Sequence, residues 1–448
     1  MTVSGVPSPG WRERLVQGAI AVLGAAMWVQ CIQHILWPVA GLRYAAMGLL
    51  GGYLVLALPQ IGRGTRRIVL ACLGVTGLCL ASGSPVSAAL SGLDTALVFM
   101  GFFPAIAMIR WALERGGTLS RIEARYRDLP PQARSDSLLV VGHVIGAVVT
   151  MGAFAIVMPP ADQMGELRLR TQAALVALRG VSLAVLWTPF TVGMGFAAHG
   201  FPQVPLWQAI LCGMGLALIG LALSMGRGAF SGLRRIAPGL GAVAVPVLGA
   251  SAVLAAVNLL SAMPAMDTII LTAPLAVLAF ALIAHRAALP GLKPVLRASL
   301  NGLGNEMALF SASVAMGMAL TSNPAFRAAL DGLDLARLPA VLTFALLVLT
   351  AIAGGVLGLH SSVIAAVMLA LTAGLGTTFG MLTCFMLVLF GWFCGAMLSM
   401  SSLSVAIVNR MFRVPVGPLV LGANLRFAIG LGAVLTAIFA MLNGIGIA

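Results

Sequence analysis

The sequence predicts an all-α integral membrane protein, with about eleven transmembrane helices plus two re-entrant hairpins in two inverted-topology repeats. Three observations carry that prediction. Of 448 residues, 60% are hydrophobic and 8% charged, where a soluble domain carries roughly 25% charge. The mean hydropathy is +1.06, and the apolar residues come in runs long enough to cross a bilayer. Two of those runs are also interrupted in the same manner, 213 residues apart.

A net charge of +14 would suggest a nucleic-acid partner in a soluble protein. Here the arginines fall in the polar segments between apolar runs, which is the positive-inside pattern of a cytoplasmic (inner) membrane protein with affinity for anionic lipid headgroups. No nucleic-acid partner is expected. Cys31, Cys72, Cys79, Cys212, Cys384 and Cys394 lie in apolar runs without a CxxC pair and read as small buried hydrophobes. No metal site and no resident cofactor are expected, apart from coupling Na+ or H+.

Residues 1–42 hold an extra first span. Arg12 and Arg14 precede an apolar run from Val16 to Leu36 that is too long for a signal-peptide core, so it reads as uncleaved with a cytoplasmic N-terminus. Residues 43–236 form the first repeat. Its spans are Tyr44 to Leu58, Ile68 to Ala81 and Leu93 to Leu113, with cytoplasmic landings at Arg63, Arg66 and Arg67 and at the arginines from Arg110 to Arg134. Ser137 to Met158 is long enough to cross, yet a full crossing would put Arg168, Arg170, Arg227, Arg234 and Arg235 outside. A hairpin that dips in and returns keeps them inside, and parity favours it. A discontinuous span around Thr188 to Thr191 and the span Leu206 to Met225 close the repeat.

Residues 237–448 form the second repeat. Leu240 to Leu260 crosses outward and Thr268 to Ala284 inward, to a loop carrying His285, Arg286, Lys293 and Arg297. Gly302 to Leu320 crosses out again, and Ala325 to Arg337 is an amphipathic stretch along the outer surface. Leu338 to Leu375 is broken at Gly354-Gly355 and at Gly358 to Ser362, which suits the tip of a second hairpin. Phe379 to Val408 crosses inward to Arg410 and Arg413, and Leu419 to Leu442 crosses out, leaving the C-terminus external.

The halves match in register at three places: Gly92-Leu93 with Gly302-Leu303 at 210 residues, Thr188 to Val192 with Ser401 to Val405 at 213, and His143 with His360 at 217. The repeats start from opposite sides, so they are inverted, and such architectures hold their site near the midplane between repeats. An extra span, then five spans plus a hairpin twice over with a broken helix after each hairpin, resembles the divalent anion/sodium symporter family and the wider ion-transporter superfamily. The resemblance implies a carboxylate substrate and sodium held by Ser-Asn-Thr motifs at the hairpin tips, and a homodimer. The corresponding places here read Val141-Gly142-His143-Val144-Ile145-Gly146 and Gly358-Leu359-His360-Ser361-Ser362, without Ser-Asn-Thr. That departure points to a branch other than the dicarboxylate carriers.

The candidate site residues are Thr188, Pro189, Thr191, Ser401, Ser402 and Ser404, with His143, His360, Ser361 and Ser362 at the expected hairpin tips. Hydroxyls and carbonyls freed by a helix break can replace part of an ion's water shell, although single hydroxyls also bond back to their own helix. An imidazole at membrane depth either donates to an anion and carries a proton, or is neutral and satisfied by a carbonyl. Glu306 and Asp94 each open a span, where the helix dipole favours a carboxylate; Glu306, in flexible surroundings, is the first choice for a coupling proton. Arg179 reads as an anion's counter-ion or as a residue snorkelling to the surface.

The leading expectation is a secondary transporter, not an enzyme, moving a small anionic, organic acid-like solute by alternating access driven by H+ or Na+. A cation/proton antiporter would want a deep unpaired carboxylate. A lipid-linked glycosyltransferase or intramembrane protease would want an HExxH, a Ser/Lys or Asp pair, or acidic external loops, and a structural subunit has no use for a doubled interruption.

Overall fold

The computed structural model describes residues 10–115, 124, 128, 131–149, 153–154, 166–225, 229–284, 286–335, 337–373 and 375–444. The protein is 86% helical, with no strand among the described residues. Among those residues eight helices are long and apolar enough to cross a membrane, or nine if two that meet at 47° count as one span. The protein is a multi-pass, membrane-embedded helical bundle.

In chain order the helices are α1 (Trp11–Leu36), α2 (Ala40–Ala57), α3 (Arg63–Ala81), α4 (Val86–Arg115), α5 (Pro131–Val149), α6 (Leu167–Ala184), α7 (Val192–Gly200), α8 (Leu206–Ser224) and α9 (Ala229–Ser261). Then come α10 (Ala265–Ala284), α11 (Leu292–Gly302), α12 (Gly304–Thr321), α13 (Pro324–Leu333), α14 (Ala340–Val356) and α15 (Ser361–Thr372). The chain closes with α16 (Gly376–Phe379), α17 (Met381–Leu398), α18 (Leu403–Phe412), α19 (Val416–Leu421) and α20 (Ala423–Gly444). Helices α1, α3 and α4 begin several residues before their apolar runs, because Arg and Ser continue a helix where headgroups and water satisfy them. Outward side chains such as Val22, Leu78 and Leu260 are 68%, 72% and 86% exposed; a hydrocarbon surround makes such exposure favourable.

Helices α4 and α12 run antiparallel, with Gly92 against Ala315 and Phe99 stacked on Phe310 at 4.5 Å. Helix α3 runs parallel to α12: the Gly62 N–H donates to Asn305 Oδ1 at one end (3.0 Å), and Ser84 Oγ donates to the Ala319 carbonyl at the other (2.9 Å). Gly291 packs on Arg115. One end of the bundle therefore gathers Arg63, Arg66, Arg67, Arg115, Lys293 and Arg297. Asn323 closes the opposite end, capping α13 and donating to the Cys79 carbonyl at 3.2 Å.

Helices α5 and α6 run parallel. Gly180 packs on Leu139 and His143, Gly146 on Val181, and Thr188 reaches Ala147, so positions rise together along both helices. Both thus start from the same end of the bundle. The remainder of the expected first hairpin, residues 150–152 and 155–165 with Pro159-Pro160, lies outside the described residues, as do Arg121, Arg125, Arg127, Arg227 and His285.

Helices α14 and α15 make a hairpin, with Gly354 against Ile364 and a tip at Leu357 to His360 where Gly358 takes φ +81°. Ser362 lies beside Ser313 and Ala366 beside Gly317, so α15 runs parallel to α12 and the hairpin enters from the end opposite the arginines. At 12 residues, α15 is about 18 Å long, too short for a hydrocarbon core of about 30 Å.

Two expectations are corrected. Leu292 to Gly302, with Lys293 and Arg297, is no loop but an amphipathic helix that buries Leu292 and Leu300. Apolar and basic residues alternate there at helical spacing, which suits an interfacial helix. Helix α9 also starts well before Leu240, running through Pro238 and Pro246.

Candidate functional site

Helix α6 stops at Ala184, and the chain turns through Thr188-Pro189-Phe190 before Thr191 caps α7. The Pro189 nitrogen has no proton to continue a helix ladder. Thr188, fully buried, donates from Oγ1 to the Ala147 carbonyl (2.8 Å). Thr191 donates to the Thr188 carbonyl (3.2 Å) and accepts from the Met194 N–H (3.4 Å). The Trp187 indole donates to His143 Nε2 (3.1 Å), and His143 Nδ1 lies 3.1 Å from the Gly180 carbonyl. An indole only donates, so Nε2 is the acceptor and the proton sits on Nδ1, bonded to Gly180. This break is closed, and its candidate groups satisfy one another.

Helix α17 stops at Leu398 and α18 starts at Leu403, leaving Ser399 to Ser402 between them. Ser399 and Ser401 hydroxyls lie 2.9 Å apart, and Ser402 donates to the Ala396 carbonyl (2.8 Å). Ser404 is buried in the first turn of α18. The hairpin tip is docked here: a Cβ on Gly395 would lie 2.5 Å from the Ser361 Cα. His360 caps α15, its Nδ1 accepting from the Ser362 N–H (3.3 Å) at 3.0 Å from Ser362 Oγ, which in turn lies 3.0 Å from Ser313 Oγ on α12. Accepting at Nδ1 leaves the neutral ring's proton on Nε2, which has no protein partner among the described residues.

The second break is the more exposed of the two. Met400 is 50% exposed, Leu403 55% and Leu357 77%, and Ser401 is exposed beside them. The N-termini of α15 and α18 and the C-termini of α14 and α17 meet there, so N–H donors and carbonyl acceptors sit side by side with opposite dipole ends. The two breaks connect through Trp392 on α17, which packs on Gly193 and Phe196 of α7 and stacks on Phe310 of α12 at 5.7 Å.

Glu306 sits in the first turn of α12, as expected there. Its Oε2 is buried without a hydrogen-bond partner among the described residues. Glu306, Phe310 and Ser313 share one helical face, the acid about 10 Å along the axis from the serine pair. Asp94 is corrected: it does not open α4 but lies two turns inside it, ion-paired with buried Arg43. Arg43 Nη2 also donates to the Asp94 carbonyl (3.0 Å) and Nη1 to Gln30 (3.3 Å), while His199 meets Thr95 at 3.1 Å.

The 210- and 217-residue matches do not hold in space. Gly92 packs mid-helix whereas Gly302 ends α11 at the bend, and His143 lies inside α5 whereas His360 stands at a helix start. Side-chain types alone cannot distinguish a helix interior from its end. The 213-residue match does join two real breaks. Ser313 escapes the sequence reading; Ser311 and Ser313 in the middle of an apolar run were its only signal. No protein-family model matches the chain, and no curated protein matches it.

Proposed function

We propose that the chain is a secondary active transporter rather than an enzyme, moving a small anionic, organic acid-like solute across the cytoplasmic membrane by alternating access coupled to H+ or Na+. The observation that carries this reading is the meeting of the α14–α15 tip with the Ser399 to Ser402 break, where Ser401 is exposed and His360 half-buried, with Ser362 and Ser402 buried and hydrogen-bonded behind them. Two helix N-termini and the free Nε2–H suit an anion, and two helix C-termini suit a cation.

Two inverted repeats, at residues 43–236 and 237–448, are part of the proposal. They are supported by the two breaks at one register and by the parallel start of α5 and α6, which keeps Arg115, Arg168 and Arg170 on one side. With the positive-inside rule, that parity supports a cytoplasmic N-terminus and an external C-terminus. A homodimer belongs to the proposal through the resemblance alone. Glu306 favours proton coupling, because its unpartnered buried oxygen shares a helix face with Ser313.

The test is uptake of radiolabelled mono- and dicarboxylates into proteoliposomes under an imposed pH or Na+ gradient, with Ser362→Ala and Ser402→Ala beside the parent. Gradient-driven uptake by the parent that both variants lose is expected. Folded protein that takes up no anion under either gradient sinks the reading, and exchange of H+ for a cation would replace it with an antiporter.

A further inference from the structure

We infer that Arg179, Asn424 and the first turn of α20 form a binding site for an oxyanion, a carboxylate or phosphate group. Arg179 lies 12 residues into α6, about 18 Å from its start, and packs its guanidinium over the Phe427 ring at 4.9 Å. Its packing on Phe427 and its bond to Asn424 tie the guanidinium to α20 instead of leaving it to snorkel freely. Among the described residues no carboxylate pairs with Arg179, and the charge that acts on it is Arg426, of the same sign. A cation held in a membrane without a counter-ion is costly, so this place is short of one negative charge.

The surrounding donors point the same way. Arg179 Nε donates to Asn424 Oδ1 at 2.7 Å, which fixes the amide orientation and turns Nδ2 away. Asn424 is fully buried, and its Nδ2 has no hydrogen-bond partner. Ser182, one turn beyond Arg179 on the same face, is buried with an unpartnered Oγ. Asn424 stands in the first turn of a 22-residue helix, whose leading N–H groups lack intrahelical acceptors and whose dipole is positive at this end. A guanidinium without a counter-ion and, on its neighbours Asn424 and Ser182, buried donors without acceptors call for an acceptor-only, negatively charged ligand, and an oxyanion supplies both. Its source is either a dissolved acid or the phosphate of a lipid headgroup.

The experiment measures the thermal stability of the full chain, in detergent and in phosphatidylcholine nanodiscs, titrated with succinate, inorganic phosphate or sulfate against chloride at fixed ionic strength. A saturable rise in Tm of a few degrees is expected for the parent, and its loss in Arg179→Met. Asn424→Asp supplies a fixed counter-charge, so it should raise the starting Tm and abolish the anion response. If dissolved anions do nothing while replacing phosphatidylcholine by phosphatidylglycerol raises the Tm of the parent but not of Arg179→Met, the site holds a lipid phosphate. The inference is overturned if no oxyanion, dissolved or lipid, distinguishes the parent from the variants, or if Asn424→Asp melts below the parent. Because the readout is binding, the result is independent of whether the chain transports anything.

Discussion

The Trp187 indole donates to His143 Nε2 at 3.1 Å while His143 Nδ1 is held by the Gly180 carbonyl, so the imidazole ties α5 to the last turns of α6 and to the turn of the first break. A histidine with both nitrogens engaged in this way is a strut. His143→Leu leaves an indole N–H and a carbonyl unpaired in a buried place, which should cost about 1–3 kcal/mol. The measurement is a thermal melt, in which His143→Gln should recover part of the loss because an amide both donates and accepts. In whatever transport is reconstituted, the pH profile of folded His143→Gln should match the parent, whereas a shifted profile would make the ring a proton carrier.

The asymmetry of the two breaks is testable by chemical access. Ser401→Cys should react with a membrane-impermeant thiol reagent and Thr191→Cys should not, since the first side chain is exposed and the second buried. Mass spectrometry of the labelled protein checks both. Equal labelling, or none at Ser401→Cys, would mean the second break does not open to water.

Gly395 lets α15 and α17 touch. A methyl group there would lie 2.5 Å from the Ser361 Cα, so Gly395→Ala must push the hairpin tip off α17. We expect a loss of about 1–3 kcal/mol, the usual cost of overpacking, with uptake falling more than stability because His360 and Ser362 move away from Ser402. Melting and uptake measured on the same preparation separate the two effects.

The spans are legible in the sequence because composition alone decides them: a run such as Leu206 to Met225 has no other stable place than the bilayer. The breaks are legible because Thr-Pro-Phe-Thr and Ser-Met-Ser-Ser cannot continue an apolar helix without a reason. Which break would be closed is not, since it depends on Ala147, Gly180 and His143 arriving from α5. The partners of Arg43 and Arg179 are likewise hidden, 51 and 245 residues away along the chain. In α1, Gln30, Gln33 and His34 share one face of an apolar helix, which signals a polar neighbour.

Arg43 is 9% exposed and its partner Asp94 40%, so the arginine needs the pair more than the acid does. Arg43→Leu should lower stability by about 1.5–3 kcal/mol. Asp94→Leu should cost more than Arg43→Leu, because it strands the more deeply buried charge, and the double variant should be milder than the sum. A double-mutant cycle by thermal melt checks the order; additive losses would mean that the two residues do not interact.

The shortness of α15 bears on how the protein is made. A helix of 12 residues is not recognised as a span by the insertion machinery, which weighs segments of about 20. As the nascent chain emerges, α15 finds one wall of its slot on α12, at Ser313 and Gly317, and the other only on α17, synthesised after it, at Gly391 and Gly395. The second hairpin therefore reaches its final packing only after translation has passed it, in a slot walled by protein. A chain truncated before Met381 would leave that hairpin without its α17 wall.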